Sequence, residues 1–386
     1  MGGLAEYLES YQSAFSDGSH GDDVRHCILW ATQNPNDPMP LYRLALFAQM
    51  RGRWDYWKRA VMLAMNMEHD TPQATFHRAC HHQRLGYWSA FRDKTAVRHL
   101  MEVDAGRLLW VAHQYDGTTD LSDKTVLLVH TGGFGDSLQL MCFVRPLARR
   151  AARVIVGVPP ELFELATYNL GDCAEIVAVG TEPQYESVYR FDAYIYGWSI
   201  VDLFEAVPTF EPLHAPRPLS WSTFDRASLH VGIGWAASDE AGSIPSERSI
   251  KDMALLEPLF SLEEVSWHSL QVGLSASQTH PRLRRPDPPL ATFADSANLI
   301  ASLDAVVTVD TALCHLAGRL GVPTFTLLQH VADERWGFGD TTAWYPSMRL
   351  IRERRMGDWS EAIGTLAHHL SVLRDEARRQ LAQPHR

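Results

Sequence analysis

From Lys124 onward the chain repeats one pattern: a short β-branched apolar run, a turn, then a longer run with helical spacing. KTVLLVH (Lys124–His130) is the first such run, and it meets the glycine cluster TGGFGD at Thr131–Asp136. SLQLMCFVRPLARR then reads as a helix and ARVIVGVP as a second strand. Strand, glycine turn, helix and strand in that order open a doubly wound parallel sheet. AEIVAVG and FDAYIYG extend the sheet. HAPRPLSW, with two prolines, reads as a linker, and LHVGIGWAAS (Leu229–Ser238) starts a second unit. VSWHSLQV, DAVVTVD (Asp304–Asp310) and VPTFTLL supply further strands, with TALCHLAGRLG a helix between the last two. The C-terminal DWSEAIGTLAHHLSVLRDEARRQL is amphipathic, one helix or two. The pattern predicts an α/β protein with twin Rossmann-like lobes facing across a cleft, over residues 122–215 and 226–375.

The first 115 residues follow a different period. DPMPLYRLALFAQMRGRWDYW starts at Asp37 and TPQATFHRACHHQRLGYWSAF at Thr71, an offset of 71 − 37 = 34 residues. At that offset Pro38 matches Pro72, Ala45 matches Ala79, Gly52 matches Gly86 and Trp54 matches Trp88. A small residue lets paired helices approach, glycine permits the tight turn, and the aromatic fills the groove between helices. This spacing resembles the tetratricopeptide repeat. A weaker copy runs from about Leu4 to Pro35, while Trp57 and Arg98 stand where that repeat usually has small residues. The expectation is an all-α, tetratricopeptide-like domain over residues 1–115.

Composition narrows the function classes. Of 386 residues 46% are hydrophobic and 21% charged, with a net charge of -11 and no long block of one sign. An acidic chain of this kind does not present the basic face that nucleic acid or an anionic membrane needs. The five cysteines are scattered singletons, which fits reduced thiols in a cytoplasmic protein. No signal-like start is seen, and no apolar run approaches the ~20 residues of a membrane span.

Three clusters carry the candidate chemistry. Gly132, Gly133 and Gly135 sit at the carboxyl end of a parallel strand, where open α/β sheets bind ligands. Asp136 opens the helix that follows, so its carboxylate can act as a general base or as an N-terminal cap. In the second cluster Asp310, Thr311, Ala312 and His315 end a strand and begin a helix, a seat for a diphosphate or a capped helix with a satisfied histidine. In the third, Gly234 and Trp235 end the first strand of the second lobe, and Arg248 and Lys251 follow on a serine-rich loop. A guanidinium there can hold phosphate bidentately or remain a solvated charge. Trp336 and Trp344 could stack on a base or pack a loop, and His77, His81 and His82 read as surface histidines rather than metal ligands. HExxH, GxSxG, GKS/T and GxGxxG are absent, which removes support for metalloprotease, α/β-hydrolase, P-loop and nicotinamide-binding readings.

Together these blocks resemble the tetratricopeptide-containing bacterial glycosyltransferases. That group is related to the heptosyltransferases of glycosyltransferase family 9 and distantly to O-GlcNAc transferase. The resemblance spans roughly Lys124–Leu370 and rests on four ordered pieces: LLVHTGGFGDSLQLMCFVRPLARRAARVIV, SERSIKDMALLEPLF, LIASLDAVVTVDTALCHLAGRLGVPTFTLL and DERWGFGDTTAWYPSMRLIRE. It implies a GT-B fold and a metal-independent, inverting glycosyltransferase that needs no cofactor beyond its nucleotide-sugar donor. The acceptor would be a protein, glycan or small metabolite. By the same resemblance Asp136 matches the general base and Arg248 the Arg of an RS motif. Asp310, Thr311 and His315 match the diphosphate segment, and Leu270 and Gln271 an LQ pair near the nucleotide. The chain departs from its relatives in SIPSERS, where they often have an NDR-like run, and in YGWSIVDLF, where they often have Ser-Leu-Pro. A competing reading makes the repeats a peptide-gripping or self-associating scaffold and the α/β part a degenerate sugar-nucleotide sensor. A GT-B epimerase is a further enzyme reading, without an evident carboxylate constellation.

Overall fold

The computed structural model describes residues 2–15, 21–67, 71–84, 115, 118–129, 132–179, 190–218, 224, 227–237 and 248–382. The chain divides into two compact units. One comprises residues 1–108, 330–338 and 354–356, and the other the remaining residues from 109 to 386.

The first unit holds helices α1 (Gly2–Phe15), α2 (Gly21–Gln33), α3 (Met39–Met50), α4 (Trp54–Met65) and α5 (Pro72–Arg84). Ala45, Ala48, Ala60 and Ala64 are fully buried, which lets α3 and α4 lie close. Gly52 turns the chain between them at φ +67°, a left-handed conformation that glycine adopts without strain. Tyr11 donates its hydroxyl to the Leu44 carbonyl at 2.6 Å, tying α1 to α3. The partner of α5 expected from Trp88 onward lies outside the described residues. Segment 330–338, which the sequence places inside the second lobe, belongs to this helical unit. Its Phe338 ring meets Trp57 edge-on at 5.3 Å and Trp54 at 5.1 Å, so a bulky residue replaces the usual small one with a partner at hand. Its Ala332 carbonyl accepts from the buried Arg84 at 2.9 Å. His77 is not the surface histidine that its spacing suggests. It is half-buried, its ring stacks on Tyr42 at 5.8 Å, and burial lowers its pKa.

The second unit contains two all-parallel sheets. The first has strands β1 (Thr125–Val129), β2 (Arg153–Val158), β3 (Glu175–Ala178) and β4 (Ala193–Tyr196) in the order β3-β2-β1-β4. The second has β5 (Leu229–Gly234), β6 (Val265–Ser269), β7 (Leu283–Arg284), β8 (Ala305–Val309), β9 (Thr324–Leu328) and β10 (Met348–Arg352). Their order is β10-β9-β8-β5-β6-β7. Strands β5, β8 and β9 are buried at every position, as parallel strands covered on both faces must be. The helix expected after TGGFGD is broken into α6 (Phe134–Leu140), a 3-10 turn (Met141–Phe143) and α7 (Val144–Ala148). Pro146 explains the break, since it has no N–H for the carbonyl four residues back. Three further helices follow: α8 (Pro160–Leu170), α9 (Glu257–Phe260) and α10 (Phe293–Ile300). They are followed by α11 (Ala312–Arg319) and α12 (Ser360–Ala382), the latter one continuous helix. In both sheets the strand order reverses beside the first strand, at β1/β4 and at β5/β8, and such switch points open a crevice at the strands' carboxyl ends. No described helix is long and apolar enough to cross a membrane.

Candidate active site

The two crevices meet where α6 packs on α11. Gly132, at φ +88°, turns the chain out of β1, and a Cβ there would stand 2.4 Å from the Asp136 carboxylate. Gly133 is the N-cap of α6, and its N–H donates to Asp136 Oδ2 at 3.0 Å. The carboxylate three residues into the helix thus closes back on the helix entrance and sits at the positive end of its dipole. Gly135 lies against the second lobe. A Cβ there would meet His315 Cδ2 at 2.7 Å and Ala312 Cα at 3.5 Å. The glycines of TGGFGD therefore allow a turn at Gly132 and a close approach of two helix N-termini at Gly135.

On the facing side β8 is followed by Asp310 and Thr311. Thr311, in extended backbone, caps α11 by accepting the Leu313 N–H at 3.3 Å. Asp310 and His315 are buried, and His315 Nδ1 is hydrogen-bonded to the Tyr345 hydroxyl at 2.8 Å. One Arg248 N–H donates to the Asp310 carbonyl at 3.3 Å, placing its guanidinium one residue from the α11 cap. Asp310, Cys314 and His315 also bring three potential metal-ligating atoms within 4.8 Å of one another, all buried.

A cleft of about 300 Å³ opens at the carboxyl ends of β5 and β6. Gly234, Gln271, Thr311 and Ala312 line it, together with Thr292 and Phe293 at the start of α10 and Phe134 from the first lobe. Gly234 packs tightly: a Cβ there would lie 2.5 Å from a Leu313 methyl, so that side chain would have to shift. Gln271 clamps the floor: its carbonyl oxygen accepts from Trp235 and Ala236 N–H at 2.9 Å, and its amide donates to the Ala236 and Val272 carbonyls at 3.0 Å. The Trp235 side chain does not face the cleft. It is buried in the second lobe's core, and Nε1 donates to Gln278 at 2.6 Å, so only its backbone borders the site. Trp336 and Trp344 are buried too, the latter edge-on to Phe143 at 6.4 Å. Asp136, Trp235, Arg248, Asp310 and His315 adjoin the cleft through these hydrogen bonds and chain neighbours, without lining it.

Thr292 and Phe293 were not among the sequence candidates. The signal for them is Thr-x-x-Asp: Thr292 Oγ1 accepts the Asp295 N–H at 3.2 Å while Asp295 accepts the Thr292 N–H at 2.9 Å. This reciprocal capping box marks the start of α10. Phe293 stacks obliquely on Phe134 of the first lobe at 5.1 Å, forming one wall of the cleft.

Helix N-termini beside a cleft of this size present free N–H groups to which anions are attracted. The known proteins give the second lobe its class. Residues 289–357, which carry α10, β8, α11 and β9, match the model for Glycosyltransferase family 9 (heptosyltransferase), and the chain therefore carries a glycosyltransferase domain. Among curated proteins, Protein FlbA of Caulobacter vibrioides is 34% identical over 87 residues, 22% of this chain and 14% of that protein's length. The chain thus aligns with about one seventh of that relative. Among solved structures it is similar to a family 9 glycosyl transferase from Veillonella parvula, with TM-score 0.48, 11% identity, and 68% of this chain and 100% of that one covered. E. coli ADP-heptose lps heptosyltransferase II gives TM-score 0.47 and 13% identity over 66% of this chain and 99% of that one. The iron-containing dodecameric glycosyltransferase TibC from enterotoxigenic E. coli gives 0.46 and 10% over 68% and 79%.

Proposed function

We propose that the protein is a cytoplasmic GT-B glycosyltransferase that moves a sugar from a nucleoside-diphosphate sugar to an acceptor hydroxyl. The observation that carries this reading is the cleft at the ends of β5 and β6, whose walls at α10 and α11 fall within the segment matching the glycosyltransferase family. In it the donor's diphosphate rests on the free N–H groups at the start of α11, beside Thr311 and Ala312, and the Arg248 guanidinium counters its charge. Fixed dipoles and a cation of this kind stabilise a diphosphate leaving group as the glycosidic bond breaks, which supports a metal-independent mechanism. Asp136 takes the proton from the acceptor hydroxyl as its oxygen attacks the anomeric carbon from the face opposite the leaving group. The product would then have inverted configuration. Closure of the lobes excludes water from the cleft. The helical unit, as a short tetratricopeptide-like array, offers a surface for a protein or glycan acceptor or for a second copy of the chain.

One observation favours the competing reading of Asp136 as a cap: its carboxylate already accepts the Gly133 N–H at 3.0 Å. Asp136→Asn separates the two roles. An asparagine carbonyl still accepts that bond, so folding and nucleotide binding persist, while a general base is lost. Thermal shift against ADP, UDP, GDP, CMP and dTDP identifies the donor class, and turnover of the matching sugar nucleotide is then measured. Loss of turnover with nucleotide affinity retained supports the base, and normal turnover rules it out.

A further inference from the structure

A second cavity, of about 360 Å³, shares no lining residue with the donor cleft. It lies where the 3-10 turn after α6, the end of α8, the segment 209–214 and the last residue of α11 come together. Arg319 lines it and is 4% exposed. Its Nε has no hydrogen-bond partner. Its guanidinium stands over the Phe210 ring, 5.8 Å from the centroid.

The neighbouring charges do not satisfy it. Arg145, on the same wall, is fully engaged, with bonds to both Asp172 oxygens at 2.7 and 2.9 Å and to the Asn169 carbonyl at 2.7 Å. Glu211 at the rim is exposed and lies 4.0 Å from Arg145 and 3.8 Å from Arg149. The Cys142 thiol is pushed up to about 12 by burial, so it is neutral and offers no countercharge. A buried guanidinium without a partner is costly, and buried charges in folded proteins are otherwise paired.

From this unpaired cation in a preformed cavity we infer that the protein binds a small organic monocarboxylate, held bidentately by Arg319. A carboxylate matches the planar fork of the guanidinium. Two features select one negative charge over two: Arg319 is the single unmatched cation among the described lining residues, and it stands at the negative end of the α11 dipole with Glu211 nearby. Met141, Leu170, Pro212 and Leu213 give the cavity apolar wall for a short hydrocarbon body. The site is independent of the donor cleft.

The test is calorimetric titration of the full chain with sodium butyrate, against sodium phosphate and sodium chloride at matched ionic strength. Saturable butyrate binding is expected, with phosphate and chloride weaker. Arg319→Met should lose at least about ten-fold in affinity, the scale of a charge-assisted hydrogen bond, and Arg319→Lys several-fold. Glu211→Gln, which removes the rim anion, should tighten butyrate several-fold. Butyrate heats no different from chloride, tighter binding of phosphate, or undiminished affinity in Arg319→Met would each overturn the inference. Should Arg319→Met not fold, equal affinities of the wild type and Glu211→Gln overturn it.

Discussion

Adding one methyl group at Gly135 tests whether the two lobes are held together at the α6–α11 contact. In Gly135→Ala the new Cβ falls 2.7 Å from His315 Cδ2 and 3.2 Å from Nε2. Ordinary carbon contacts begin near ~3.5 Å, so the imidazole must give way by almost ~1 Å. It has little freedom to do so. His315 is 3% exposed, and its other nitrogen is bonded to Tyr345 at 2.8 Å. Tyr345 is itself fixed, because its ring fills the space over Gly318, where a Cβ would meet Cγ at 2.5 Å. The overlap therefore separates the helices or breaks the His315–Tyr345 bond. Overpacking of this kind costs about 1–3 kcal/mol, offset by less than ~1 kcal/mol from alanine's better helix propensity near the start of α6. The net loss of about 1–2 kcal/mol corresponds to a fall of roughly 2–6 °C in melting temperature, read by scanning calorimetry. Nucleotide affinity should fall with it, because Ala312 moves with His315. An unchanged or raised melting temperature with unaltered affinity would refute the idea that close approach at Gly135 sets the site.

Arg248→Ala should weaken nucleotide-diphosphate binding by roughly ten-fold or more while leaving nucleoside binding nearly unchanged, and titration with both ligands checks it. Gly132→Ala should destabilise the protein by about 1–3 kcal/mol in denaturant unfolding, since φ +88° and a 2.4 Å approach to Asp136 both oppose a side chain. The buried His268, bonded to His230 at 3.0 Å, is lowered from 6.5 to about 4 by burial and by its neighbours His230 and Arg284. Its folded-state pKa is depressed, so the unfolded chain binds the proton first. Stability is then full above pH 6.5 and falls toward pH 4, by up to about 3 kcal/mol. Melting temperatures across that window should show the slope in the wild type and a shallower one in His268→Asn.

Long β-branched runs announced themselves in the sequence because parallel strands are buried on both faces, and so β1, β2, β5, β8 and β9 were legible. β7 is two residues long, and Arg349 and Arg352 interrupt the apolar positions of β10, so neither carries such a run. The strand–glycine–helix junctions were legible as crevices, but not which side chains face into them. Trp235 follows a glycine at a strand end, as a ligand-stacking residue would, yet its indole turns into the core toward Gln278. Gln271 read as a nucleotide contact, and its amide is spent on three backbone neighbours. Thr292 and Phe293 were hidden by the proline-rich stretch before them, although the Thr-x-x-Asp box was there to be read. Segment 330–338 carried no local signal of its place among the helices, because that pairing is long-range in sequence.

That segment limits how portable the helical unit can be. Trp54 and Trp57 find their edge-on ring in Phe338, and Arg84 its carbonyl in Ala332, residues roughly 250 to 280 positions later in the chain. A fragment cut at the linker near residue 115 would leave two indoles bare and a buried guanidinium without its acceptor. Grafting helices α1–α5 alone onto another protein would carry the same damaged surface with them. The fit of the helical unit thus depends on the loop between β9 and β10, and a change in either is felt by the other across more than 240 positions of the chain.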